Sequence, residues 1–170
     1  MKKISMTLDP HSVAMAIAEV ENYRTELERK TELLREKIGT EIAWSASNGF
    51  SHAVVDDILG NPKWADVDVH VEPEGDMTVV FADGTDAVWV EFGAGVYHNG
   101  TVGASPHPEG ARLGFTIGSF GKNGRRNVWG FKEDGELVLT HGTPAAMPMY
   151  NGVKEAVAHM AEIAREVFNS

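Results

Sequence analysis

A long stripe of apolar residues occupies the first third of the chain and predicts a helix. Asp9-Pro10 is a typical helix start, because Asp accepts hydrogen bonds from the free first-turn amides and Pro suits the first helical position. Apolar residues then recur at steps of three, four or seven. They are Val13, Ile17, Val20, Leu27, Leu34, Ile38 and Ile42. The pattern predicts one helix over residues 1–48, with Asn48-Gly49 as its end.

Gly39 lies inside this stripe and leaves two interpretations open. A continuous helix as far as Ser47 is on the order of 55–60 Å long at 1.5 Å per residue, and such a helix is expected to project or to pack against a neighbouring subunit. Glycine costs a helix up to ~1 kcal/mol, so a kink at Gly39 with two shorter helices is the alternative.

The middle of the chain, residues 50–142, changes to short elements. FSHAVVDDIL (50–59) is compatible with a short helix. DVDVHVE (66–72) alternates apolar and polar residues and MTVVFADG (77–84) ends in a turn, so both predict strands. AVWVEFG (87–93) is apolar and compact, which fits a buried strand or a short helix equally well.

Loops and a hairpin follow, and then a second helix. Nine glycines lie between Gly93 and Gly124 and predict loops, while NVWGFKEDGELVLTHG (127–142) predicts a β-hairpin. From Pro148 an apolar stripe predicts a helix over residues 148–169, with Gly152 as a mild cost. Its members are Val153, Val157, Met160, Ala164 and Val167. The order predicts a single α+β domain with a central antiparallel sheet.

Composition narrows the class of protein. The chain has 170 residues, no cysteine and a formal net charge of −10. No apolar run is long enough for a membrane span, and no apolar region follows the two lysines of MKKISMTLDPHS, so we expect neither a membrane segment nor a secretory signal. The acidic net charge argues against nonspecific binding of nucleic acid, which needs a basic face.

Histidines in the loops raise the possibility of a metal site. His98 and His107 share the glycine-rich loop, His141 ends the predicted hairpin, and Glu91 is near them in sequence. None of the pairs has the spacing that places two ligands on one element. A metal-dependent hydrolase that uses these four residues is therefore an alternative rather than the leading interpretation.

Acid–base or nucleophilic chemistry has weaker support. Asp83, Asp86 and Glu91 cluster in sequence, and apolar neighbours are able to raise the pKa of a carboxyl such as Glu91. We expect instead that Glu91 has no partner base and that it fixes its own turn by accepting hydrogen bonds from nearby glycine amides. Ser105 beside His107 lacks a third orienting group.

The densest basic cluster consists of Lys122, Arg125 and Arg126. A solvated loop tip, or a contact with an acidic protein partner, explains this cluster most simply. A small DNA-binding module that uses the three residues is the second alternative.

Two short motifs resemble one known family. VEFGAG (90–95) resembles the [FVI]-E-F-G-[TA]-G signature of phage tail-completion proteins, which are head–tail connector components of long-tailed phages. GTPAAMPMYNGVKEAV (142–157) is similar to the glycine- and proline-containing start of that family's last helix, although Met149 stands where Phe is common. The order of elements also agrees over nearly the whole chain.

This resemblance implies a structural protein of the phage virion without catalytic activity or cofactor. The subunit is expected to form a ring, sixfold in the family, in the virion neck after assembly in the host bacterial cytoplasm. Its expected partners are other copies of itself, a head adaptor or connector protein, and the tail tube or tail terminator protein. DNA would pass through the ring without specific binding, and an acidic lumen suits that role.

The resemblance also assigns structural roles to individual residues. A structural joint is expected at Glu91, Phe92, Gly93, Gly95, Gly142, Pro144, Ala145 and Pro148. The loop 96–126 is expected to reach towards partners. Its candidate contact residues are Tyr97, His98, Pro106, His107, Lys122, Arg125 and Arg126.

Overall fold

The computed structural model describes residues 7–56, 61–94, 97–98, 101–102, 105–115, 129–133, 135–140 and 142–169. Three helices and eight strands lie in these ranges. The helices are α1 (Pro10–Ser51), α2 (Ala87–Phe92) and α3 (Pro148–Asn169). The strands are β1 (Val54–Asp56), β2 (Pro62–Trp64), β3 (Asp68–Glu74), β4 (Met77–Asp83), β5 (Tyr97–His98), β6 (Thr101–Val102), β7 (Trp129–Glu133) and β8 (Glu136–Thr140).

The α+β class predicted from the sequence is confirmed, with one change in the sheet. The described strands form four separate antiparallel pairs, β1–β2, β3–β4, β5–β6 and β7–β8, instead of one central sheet. The β3–β4 and β7–β8 hairpins fall on the segments where alternation and turn residues predict them.

Helix α1 is continuous through Gly39 and continues past Asn48-Gly49 to Ser51. A Cβ on Gly39 would lie 2.7 Å from Thr78 Cγ2 and 3.2 Å from Val71 Cγ1. The missing side chain therefore lets the β3–β4 hairpin lie directly on the helix, and the kinked alternative is wrong. Beyond Ser51 the chain enters β1, so the short helix with which FSHAVVDDIL is compatible does not form over Val54–Asp56. The β-branched Val54 and Val55 suit that strand.

Helix α3 packs antiparallel on the second half of α1. A Cβ on Gly152 would lie 2.9 Å from the carbonyl oxygen of Ile42, and Ala46 and Ala156 are fully buried beside it. Small residues thus let the two backbones approach closely. At the far end of α3, Lys30 Nζ donates a hydrogen bond to the carbonyl of Phe168 at 3.3 Å. A cation at a helix C-terminus satisfies a free carbonyl and complements the helix dipole.

A small core lies where α1 ends. Its buried members are Ala46, Phe50, Val55 and Val90, with Met149 and side chains of β3 and β4 around them. Val90 belongs to α2, whose buried residues Ala87, Val90 and Glu91 recur at helical spacing. AVWVEFG is therefore a short helix, and it carries the EFG motif against the first turn of α3.

Candidate functional site

The two motifs that carry the family resemblance contact each other directly. Ala94 N donates to Thr143 O and Thr143 N donates to Ala94 O, both at 2.8 Å. From the same segment, Ala146 N donates to the carbonyl of Val90, within α2, at 2.8 Å. We name the contact of segment 90–94 with segment 142–150 the motif joint.

Glu91 caps helix α3 from a different element. Its Oε2 accepts a hydrogen bond from Met149 N at 2.8 Å and its Oε1 accepts one from Tyr150 N at 3.0 Å. Pro148, the first residue of α3, has no N–H, and Met147 before it has φ 57° and no side-chain oxygen. Glu91 therefore supplies the acceptor that a local Ser, Thr or Asp supplies in other helices. Its negative charge also complements the amino end of the helix dipole.

His107 is the second side chain on the Glu91 carboxylate. Its Nε2 lies 3.1 Å from Glu91 Oε1, and both side chains are only 8 % exposed. Its Nδ1 accepts a hydrogen bond from Glu109 N at 3.0 Å. Because that bond occupies Nδ1 as an acceptor, the network assigns the proton to Nε2, which donates to Glu91.

The rings around His107 tie loop 105–115 to both helices. The imidazole lies 4.5 Å from the ring of Phe92 and 5.3 Å from that of Tyr150, centroid to centroid. Phe92 also stacks on Phe115 at 4.6 Å. The loop is thus held by a charge-assisted hydrogen bond and by aromatic packing, which together fix its position against the joint.

This geometry corrects two expectations about Glu91. The carboxylate does not bond glycine amides of its own turn, since its donors are Met149 N and Tyr150 N. It also does have an ionisable partner, because His107 reaches it from the following loop. The sequence carries no local signal for either contact, since both depend on how residues far apart in the chain come together.

The other expected joint residues lie around this contact. Phe92 packs in the aromatic group, and Gly93 has φ 76°, where a Cβ would lie 2.9 Å from Ala145 N. Gly142 has φ 85°, Pro148 is buried, and Pro144 is exposed. Gly95 lies outside the described residues.

The expected partner-contact residues are only partly described. Pro106 is exposed, whereas the His107 side chain lies against Glu91 of the motif joint. For Tyr97 and His98 the structure describes the backbone of β5, which pairs with β6. Lys122, Arg125, Arg126 and His141 lie outside the described residues.

The polar groups of the joint bond one another. Three donors already occupy the Glu91 carboxylate, and Ser105 Oγ accepts the backbone N–H of His107 at 3.2 Å. Within the described ranges, His, Asp and Glu side chains form no group of three or more able to hold a metal ion. In the same part of the chain, no buried side-chain nitrogen or oxygen lacks a partner.

A shallow cleft of about 320 Å³ lies elsewhere, where α3 ends on α1. Tyr23, Leu27, Lys30 and Phe168 are among the residues that line it. None of the helices in the described ranges combines the length and the apolar character needed to cross a membrane.

Comparison with known proteins gives no significant match. No protein-family model matches the chain, and no curated protein or solved structure is significantly similar to it.

Proposed function

We propose that the protein is a non-enzymatic subunit of a phage neck, a tail-completion or head–tail joining protein that forms a ring in the virion. The observation that carries this proposal is the motif joint. The two short motifs that resemble the tail-completion family are separated by residues 96–141, yet they meet as one buried hydrogen-bonded unit. If the two short segments resembled the family only by chance, nothing would require them to contact each other in the fold.

The chemistry of the joint supports a mechanical role. The buried Glu91 carboxylate fixes the start of α3, and His107 fixes the described part of loop 96–126 to the same carboxylate. Removing any one of these groups would leave a buried polar atom without a partner, which is costly. The joint therefore holds residues 105–115 in a fixed position against α2 and α3.

The exposed apolar surface also supports a role as a subunit of an assembly. Large apolar side chains lie exposed along both long helices, and Trp44 and Trp64 are 69 % and 66 % exposed. Contiguous exposed apolar surface on soluble proteins commonly marks an interaction site. The net charge of −10 suits a ring through which DNA slides without binding.

Deleting the gene for this protein from the phage that encodes it tests the proposal. We expect mutant lysates to contain full heads and complete tails that remain separate, and purified protein added to these lysates to restore joined particles. Electron microscopy of the purified protein, alone and with its head adaptor, should show rings. Normal infectious particles without the protein would overturn the proposal.

A further inference from the structure

The first half of α1 is an uncovered helical arm, which we define as residues 10–29. Helix α3 ends beside Lys30, so the arm extends about 30 Å past it at 1.5 Å per residue. The apolar stripe of α1 continues along the arm. Ile17 is 54 % exposed, and Val20 and Leu27 are exposed on the same stripe. The stripe that α3 covers in the second half of α1 is thus exposed at these three residues in the first half.

Helix α3 carries a matching uncovered stripe, which we call the outer stripe. At about 100° per residue, Gly152, Ala156, Ile163 and Val167 lie on one side and face α1. A second apolar row lies beside them on the same helix. It consists of Val153, Val157, Met160, Ala164 and Phe168. Val157 is 58 % exposed, so α1 covers only part of the apolar face of α3.

The two uncovered stripes match in length. From Val13 to Leu27 the arm stripe is about 21 Å long, and from Val153 to Phe168 the outer stripe is about 23 Å long. Within one chain they come together only at one end, where Leu27 and Phe168 line the same cleft, because α1 is a single continuous helix whose arm leads away from α3.

The stripes also match in charge. The arm carries four acids, Glu19, Glu21, Glu26 and Glu28, against the two bases Arg24 and Arg29. The four acids lie on both sides of the apolar stripe at the helical spacing, whereas Arg24 lies on the stripe itself and pairs with Glu28. The free edge of the outer stripe carries exposed Lys154 and Arg165. The acidic arm is therefore complementary in charge to the outer stripe, whose free edge is basic.

We propose that the arm of one copy lies on the outer stripe of α3 in a second copy, and that this head-to-tail contact builds the ring. The contact is heterologous, since two different surfaces of the same chain meet, and such contacts close into rings when the rotation allows. Closure into the neck ring rests on the function proposed above.

The size of the contact predicts how the ring forms. One face of a helix about 10 Å wide and 22 Å long presents on the order of 200 Å², well below the roughly 800 Å² per partner of a stable interface. A single arm contact is therefore weak, whereas each copy in a closed ring makes two. We expect few open chains between the monomer and the ring.

The cysteine-free chain allows a direct test by cross-linking. Val20 is at the middle of the arm stripe and Met160 is at the middle of the outer stripe, so they face each other whichever way the arm runs. With a short bismaleimide reagent, the Val20→Cys/Met160→Cys double variant should give a ladder of covalent oligomers. The matched control is Met15→Cys/Met160→Cys, because Met15 is exposed on another side of the arm; it should give no ladder.

The single variants separate this contact from a symmetric one. Val20→Cys alone should remain monomeric under the reagent, and efficient dimers would show arm-to-arm pairing and overturn the proposal. In the cysteine-free background, Ile17→Asp and Val157→Asp should each weaken self-association about a hundredfold, while Met15→Asp should leave it unchanged. A Val157→Asp variant that associates like the wild type would also overturn it.

Failure of this inference and failure of the neck function give different results. Rings seen by electron microscopy without a ladder from the double variant would remove the arm contact and leave the neck function standing. A ladder from a protein that phage particles do not need for joining would remove the neck function and leave the contact standing.

Discussion

The two halves of α1 have the same apolar stripe but different surroundings. In residues 30–51, α3 and the β3–β4 hairpin lie on the helix so closely that Gly39 and Gly152 have no room for a side chain. In residues 10–29 the same stripe is half-buried at Val13 and exposed at Ile17, Val20 and Leu27, and all of residues 21–29 are exposed. A helical stripe by itself therefore indicates a surface to be covered, and only the position of α3 decides which half is covered within the chain.

Glu91 fixes the start of α3, the helix that covers residues 30–51 of α1. Loss of the Glu91 carboxylate should therefore have the largest effect on stability. Glu91→Ala leaves Met149 N, Tyr150 N and the His107 Nε2–H buried without an acceptor. We expect a loss of roughly 3 kcal/mol in the free energy of unfolding, measured by urea denaturation. Glu91→Gln should lose less, since its amide oxygen keeps an acceptor. Glu162→Ala, on the exposed side of α3, is the control and should change stability by less than about 0.5 kcal/mol. Equal effects of the alanine variants would show that the Glu91 cap is unimportant.

The close contact between α1 and α3 should be the next most sensitive. Gly152→Val places carbon atoms against the carbonyl of Ile42, where even a Cβ would be only 2.9 Å away. We expect a loss of about 2 kcal/mol, because overpacking forces the helices apart. Thermal unfolding measures it, and Ala158→Val on the exposed side of the same helix is the control. A Gly152→Val protein as stable as the wild type would show that the helices have room to separate.

His107 should contribute less than Glu91, because its removal leaves the α3 cap in place. His107→Phe keeps aromatic packing on Phe92 and Tyr150 but removes the hydrogen bond to Glu91. We expect a loss of about 1.5 kcal/mol and faster proteolysis within residues 105–115. Limited proteolysis with mass-spectrometric mapping gives the readout. Faster cleavage at sites remote from that loop instead would mean that His107 does not hold it.

Periodicity predicted α1, α3 and the β3–β4 and β7–β8 hairpins, whereas it did not settle α2 or β1 and could not predict the contacts between elements. The stripe from Val13 to Ile42 predicted α1, and alternation predicted β3 and β4. Whether Gly39 kinks the helix depends on Thr78 and Val71, which pack there from a distant hairpin. The EFG motif draws attention to Glu91 in the sequence. Its donors, Met149 N and Tyr150 N, and its partner His107 were missed because three separate segments bring them together.

The smallest effect is expected in the arm, at its first turn. Asp9 accepts hydrogen bonds from Thr7 Oγ1 and from Ser12 N, the latter at 2.9 Å, and these bonds lower the pKa of its carboxyl below the ordinary 3.8. A pKa lowered by folding means that the cap stabilises the helix above the unfolded pKa. This contribution is lost as the pH falls through the lower, folded value. We therefore expect the first turn to fray only in strong acid, visible as a small loss of helical circular dichroism, together with an NMR titration of Asp9 below 3.8. Asp9→Asn, which caps without titrating, should not show that acid-induced fraying of its first turn. A normal Asp9 titration would show that the arm begins without this cap, and would leave the motif joint unaffected.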